Sequence, residues 1–121
     1  MNYIAVGAGG FLGALLRYVL GMISLNENTV FPIKTFLINV VGCLFIGLIT
    51  VAAGRNTAID EKWILFLKVG FCGGFTTFST FALETTELMK NGHLGIAFLY
   101  VFSSILVGCL VIIGVEYLLM K

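Results

Sequence analysis

The chain has 121 residues, 60% of them hydrophobic and 11% charged, with 15 glycines, one proline and a net charge of +1. Soluble domains are roughly 45–50% apolar and about 25% charged, so too few polar side chains are present to cover a water-facing surface. That excludes a soluble single domain, a disordered segment and a disulfide scaffold, the near-neutral charge offers no patch for nucleic acid, and an integral membrane protein remains.

A membrane-spanning helix needs roughly 20 mostly apolar residues, and four such runs follow in chain order. The first, about residues 3–24, carries Arg17 as its only charge. Residues 1–3 lack the basic side chain that opens a signal peptide, so the run is read as a retained helix. A polar stretch with Glu27, Asn28 and Pro32 leads to the second span, about residues 35–53, which has no charge. Arg55, Asp60 and Glu61 then precede a third span, about residues 63–90, whose apolar part holds only Lys68. A turn with Asn91, Gly92 and His93 opens the fourth, about residues 94–119. Long apolar runs rather than alternation argue against a β-barrel. The expected fold is an all-α membrane protein with one four-helix transmembrane domain over residues 1–121.

Cys43, Cys72 and Cys109 fall in different spans, with no C-x-x-C spacing and no histidine nearby, and are read as small packing residues.

Orientation follows the Lys and Arg count on each side of the membrane. Arg55, Lys62, Lys68 and Lys121 fall on one side and Arg17, Lys34 and Lys90 on the other, four against three. So even a count is what a chain inserting both ways round requires. Four short helices are also too few to surround a pore and pack their own core. Small residues at spacing four, Gly9–Gly13, Gly10–Ala14 and Gly70–Gly74, let helices approach closely in lipid. Together these features favour a homodimer, antiparallel if both orientations coexist.

Polar groups inside a span are expensive and mark function. The densest set lies in Gly70–Phe81, where Gly73 and Gly74 precede Thr76, Thr77, Ser79 and Thr80. Glycine weakens the helix, and a break near 73–78 would be tolerated where it is buried in protein or lines a cavity. Freed carbonyls there could hold a cation; the alternative is an intact helix whose hydroxyls bond back to their own i−4 carbonyls. Phe75, Phe78 and Phe81 recur every three residues, as ordinary packing or as ring edges that face an anion. Asn39, one turn after Thr35, faces either another helix or a pore. On the fourth span Tyr100, Ser104 and Gly108 share one stripe. Glu84 ends the third span as an interfacial carboxylate, and Arg17 either snorkels or lines a vestibule.

Three motifs, Gly9-Gly-Phe-Leu-Gly-Ala-Leu-Leu-Arg-Tyr18, Thr35-Phe-Leu-Ile-Asn-Val-Val-Gly42 and Gly73-Gly-Phe-Thr-Thr-Phe-Ser-Thr-Phe81, strongly resemble the Fluc/CrcB family of fluoride channels. The resemblance implies a dual-topology antiparallel homodimer in the cell membrane, the inner membrane of a bacterium, passively exporting fluoride through two pores at the subunit interface. It implies a third helix broken near mid-membrane and a structural sodium ion at the dimer centre, held by the carbonyls of Gly73 and Thr76. The fluoride pathway would comprise Asn39, Phe78 and Phe81, and a polar track of Thr77, Ser79, Thr80, Tyr100 and Ser104, with Thr35 nearby. Glu84 would sit near one pore end, protonated or turned outward, and Arg17 at the vestibule. Gly108 stands where a further hydroxyl would extend the track. The partners implied are fluoride, sodium, membrane lipid and a second copy of the chain.

Two other readings fit less well. A small multidrug transporter needs a membrane-embedded carboxylate, and the first span has no Asp or Glu. An enzyme needs converging acids, bases or nucleophiles, whereas the single histidine, His93, lies in a turn and the six carboxylates are scattered at helix ends.

Overall fold

The computed structural model describes residues 1–24 and 29–119. Its regular elements are α1 (Asn2–Gly21), α2 (Ile33–Arg55), α3 (Glu61–Ile64), a π-helical stretch π1 (Leu65–Cys72), α4 (Gly73–Phe75), α5 (Ser79–Lys90) and α6 (Leu94–Leu119). Among the described residues, four segments are long and apolar enough to cross a membrane: Asn2–Gly21, Ile33–Arg55, Glu61–Lys90 and Leu94–Leu119. The polar residues Glu27 and Asn28 of the first connection, and Lys121 of the orientation count, lie outside the described residues.

Helix ends fall where backbone groups find partners. The first helix stops at Gly21, three residues before its expected end, and the Lys34 ammonium donates to the Gly21 carbonyl at 3.0 Å. A basic group there suits the negative end of the helix dipole. At the start of α3 the Asp60 carboxylate accepts the Lys62 N–H at 3.2 Å, an N-terminal cap. Between α5 and α6, Gly92 takes φ 84°, a left-handed conformation open to glycine at little cost. The His93 N–H bonds the Leu88 carbonyl at 2.8 Å and the Gly92 N–H bonds the Met89 carbonyl at 3.2 Å. This paired closure ends α5 and lets α6 begin at once.

The packing inverts that of a soluble protein. Phe11, Leu15, Phe98, Leu99, Phe102 and Leu106 point outward, while Gly9, Gly13, Gly42, Gly47, Gly70 and Gly108 are buried. Apolar side chains outside and small ones inside are what hydrocarbon solvent selects.

The third span changes neighbours partway along. Up to Phe75 it lies against α1; from Ser79 it lies against α6, which itself runs along α2. The contact with α1 is a glycine seam. A Cβ built at Gly70 would lie 2.6 Å from the Val6 carbonyl oxygen and 3.0 Å from Gly9 Cα, and one at Gly13 would run into the Phe71 carbonyl oxygen. One at Gly74 would lie 3.0 Å from Gly10 Cα. The small-residue pairs on both helices are thus used within one chain. Their spacing signals close approach, as expected, but this seam corrects their use as support for an oligomer: their backbones already meet each other.

Candidate functional site

Between Phe75 and Ser79 the helical hydrogen-bond ladder gives way to side chains. Thr76 is extended, with φ −84° and ψ 161°. Its N–H still reaches the Cys72 carbonyl at 3.0 Å, and its hydroxyl bonds back to the same carbonyl at 2.8 Å. An uninterrupted α-helix would then give the Thr77 N–H to the Gly73 carbonyl and the Thr80 N–H to the Thr76 carbonyl. Instead Thr77 N–H donates to Asn39 Oδ1 at 3.0 Å, and Thr80 N–H donates to Thr77 Oγ1 at 3.2 Å. Side chains have taken the donors of both carbonyls. Asn39 Nδ2 closes a second bond, to the Thr77 carbonyl at 3.3 Å, so the amide clasps one residue from both sides. Among the described residues this uses one of its two N–H groups, and the other remains to offer elsewhere. From the other flank Arg17 Nε donates to the Gly74 carbonyl at 3.3 Å.

One helical turn further, Glu84 is the centre of a second cluster. Thr35 Oγ1 donates to Oε2 at 3.1 Å and the Tyr100 hydroxyl donates to Oε1 at 2.9 Å. Both donors are buried, Thr35 to 8% and Tyr100 to 0% exposure. The Tyr100 ring packs between Phe81, at 4.9 Å between centroids, and Phe31, edge-on at 5.4 Å. Glu84 therefore faces inward. An outward-turned carboxylate, one of the two sequence expectations, is corrected: hydroxyls from α2 and α6 converge on its two oxygens, and turning out would strand both.

Between these elements lies an open groove of about 500 Å³, lined among others by Asn39, Gly73, Thr77, Phe78, Phe81 and Ser104. Thr76 also borders it. Phe78 is 79% exposed, and its ring centroid is 6.2 Å from that of Phe81. Ser104 Oγ is buried with no hydrogen-bond partner among the described residues, so its donor and acceptor capacity is unspent. The stripe on α6 thus serves three purposes. Tyr100 meets Glu84, Ser104 meets the groove, and Gly108 lets Cys43 approach, since a Cβ there would lie 3.1 Å from Cys43 Sγ.

The site residues expected from sequence divide accordingly. Asn39, Phe78, Phe81, Thr77, Ser104, Gly73 and Thr76 share the groove, and Thr35, Glu84 and Tyr100 share the carboxylate cluster. Thr80 enters through its backbone N–H; Ser79 is exposed outside the groove lining, and Arg17 approaches from the α1 side. Two structural roles escaped sequence reasoning. Thr77 both caps α5 and receives the Asn39 clasp, and the only local signal was a hydroxyl three residues before Thr80. Phe31, which walls in Tyr100, carries no signal of its own.

Helices apolar on their outer faces, with neutral donors and one shielded carboxylate within, define a multi-pass membrane protein. Residues 4–115 match the family model described as CrcB-like protein, Camphor Resistance (CrcB), and the chain belongs to that family. Its relatives include Fluoride-specific ion channel FluC 1 of Bacillus cereus, 45% identical over 118 residues, or 97% of this chain and 81% of the relative. Fluoride-specific ion channel FluC of Oceanobacillus iheyensis is 42% identical over 117 residues, covering 97% of this chain and 87% of the relative. That of Azobacteroides pseudotrichonymphae is 39% identical over 105 residues, covering 86% and 84%. The family is one of ion channels, not of enzymes.

Proposed function

We propose that the chain forms a fluoride-selective channel in the cell membrane, letting fluoride leave passively down its electrochemical gradient and so lowering its cytoplasmic level. The observation that carries this reading is the groove. It is lined by Asn39, which uses one N–H on the Thr77 carbonyl, by Ser104, whose hydroxyl has no partner among the described residues, and by Phe78 and Phe81. The relatives' names supply the ion.

Fluoride is small and strongly hydrated, so a narrow path must replace its water with donors. Asn39 and Ser104 can donate, and the electropositive edges of Phe78 and Phe81 attract an anion without a full charge that would trap it. Thr77 continues the polar track along the groove, and Thr80, bonded to it, and Ser79, exposed beside it, would join the track on the face that a second copy covers. Tyr100 and Thr35, whose hydroxyls point at Glu84, anchor its far end. Arg17, bound to the Gly74 carbonyl through one nitrogen, keeps its other N–H groups for a vestibule.

The groove is open along one side and Phe78 stands out from it, so a second copy of the chain is the natural other wall. The near-even Lys and Arg count supports an antiparallel dimer of dual topology, with the third helix broken near mid-membrane and a pore on each side of the interface. The carbonyls of Gly73 and Thr76, both bordering the groove and both relieved of their helical donors, suit a sodium ion shared between the copies. Hard oxygen donors of this kind fit a hard monovalent cation, which would supply fixed positive charge at the dimer centre.

The test is fluoride efflux, read with a fluoride electrode, from liposomes containing only this protein. Rapid release is expected. Absence of release overturns the reading, and chloride release at a comparable rate overturns its selectivity.

A further inference from the structure

The groove holds one charged residue, and the proposed function has not used it. Lys68, in π1, borders it together with Asn39, Phe78, Phe81 and Ser104. It is exposed and makes no hydrogen bond or ion pair among the described residues. The groove lining contains no carboxylate, and Lys68 is its only formally charged side chain. A second cavity has the opposite character: about 350 Å³ in volume, it is bordered by Glu84, Glu87 and His93.

An ammonium within an apolar span is expensive and normally faces a partner or a water-filled path. Here no acidic partner shares the groove, while neutral donors that suit an anion do. We infer that Lys68 recruits anions to the groove, a charged residue at the pathway's approach that raises the local fluoride concentration without entering the neutral stretch at Asn39 and the phenylalanines. The inference rests on the proposed fluoride reading and deepens it. The division of labour is physical. A full charge beside the rings would bind too tightly for exit, whereas the same charge set apart from them draws the ion by a field that acts over about 10 Å at 0.1 M salt.

That field is screened by salt, and hydrogen bonding or packing is not. The experiment compares fluoride efflux from vesicles of neutral lipid at about 10 mM and about 500 mM of an impermeant salt, a range over which the screening length falls several-fold. Lys68→Gln should slow efflux about threefold at low salt, a single charge giving less than the tenfold or more of a fully lined cleft. At high salt it should match the unaltered protein. Lys68→Glu should slow low-salt efflux further, and Lys68→Arg should retain both the rate and its salt dependence. A Lys68→Gln rate equal to the unaltered one at low salt overturns the inference. So does a deficit that persists at high salt and is shared by Lys68→Arg, which would mark a packing role. A deficit seen only when anionic lipid is added would assign the ammonium to lipid phosphate instead. Unaltered protein that releases no fluoride overturns the fluoride reading along with this inference; normal release with no Lys68 effect overturns this inference alone.

Discussion

Before Thr76 the third span is held by what its residues lack, and after Phe78 by what they carry. Along π1 and α4, glycines at 70 and 74 meet Gly9 and Gly10 of α1, and Gly13 meets Phe71 and Phe75, backbone against backbone. Along α5 the contacts are made by side chains, Glu84 with Thr35 and Tyr100 and Phe81 with Tyr100, and just before it the Asn39 side chain holds the Thr77 backbone. In lipid the first kind of contact gains only packing, which demands close approach; the second satisfies polar groups that hydrocarbon would otherwise strand. The two halves therefore fail differently. Added volume should defeat the first, and removal of a single polar atom should defeat the second.

The largest effect is expected at the seam. Gly70→Leu has no room, because the obstructing atoms are the Val6 carbonyl and Gly9 Cα rather than side-chain ends that could swing away. Overpacking costs about 1–3 kcal/mol in ordinary cores and more where backbone must move. Purified protein should lose its single sharp elution peak. Gly7→Leu, on α1 across the seam, is the matched control: a Cβ at Gly7 meets nothing within 4 Å, so this variant should elute and melt as the unaltered protein does. Equal behaviour of the two variants would dissolve the distinction between the halves.

Next comes Glu84→Ala, which leaves the buried Thr35 and Tyr100 hydroxyls without their acceptor. Each stranded donor costs about 1–3 kcal/mol, so thermal stability in detergent should fall clearly. Combining it with Tyr100→Phe should cost less than the two single losses added together, since the second change removes one of the stranded groups. Full additivity would mean that the bond contributes nothing.

A smaller loss of stability is expected from Asn39→Asp. The new carboxylate can still accept the Thr77 N–H, but its second oxygen now faces the Thr77 carbonyl, where the Asn39 amide had donated. One hydrogen bond of about 1 kcal/mol is lost, and a negative charge enters the proposed anion path. Fluoride efflux should be abolished while the protein still folds. Unchanged efflux would confine Asn39 to the clasp and remove it from the pore.

The extent of what sequence reveals follows from which features are local. The spans were legible because scarce charges bracket long apolar runs, and a charge announces itself at its own position. Where α1 ends was not, because the Gly21 carbonyl is met by Lys34 from another helix. The glycine spacing announced a close approach without naming the helix approached. Asn39 stayed ambiguous for a chemical reason: an amide can donate and accept, so a pore and a clasp look alike until Thr77 is seen on both its atoms. The inward turn of Glu84 depends on two hydroxyls, 49 and 16 residues away in the chain, and nothing local marks it. The even spacing of Tyr100, Ser104 and Gly108 makes one stripe in the sequence, and three different neighbours divide it.

The finest test of the comparison is the pair of phenylalanines, because they share a groove but not an environment. Phe81 is packed against Tyr100, so Phe81→Ile gives up a ring pair of about 0.5–1.5 kcal/mol and should lower stability slightly. Phe78 is 79% exposed within its own chain, and Phe78→Ile should leave the melting temperature unchanged and the proposed dimer assembled. Both should slow fluoride efflux, since isoleucine has no electropositive edge to offer an anion. The value of Phe78 lies in that separation. A residue with no stability to lose within its own chain can lose only function or pairing, so slowed efflux from a variant with unchanged melting temperature and elution volume would isolate the ring edge as the cause. Undiminished efflux in both variants would remove the aromatic role and leave the hydroxyls and Asn39 as the sole donors of the path.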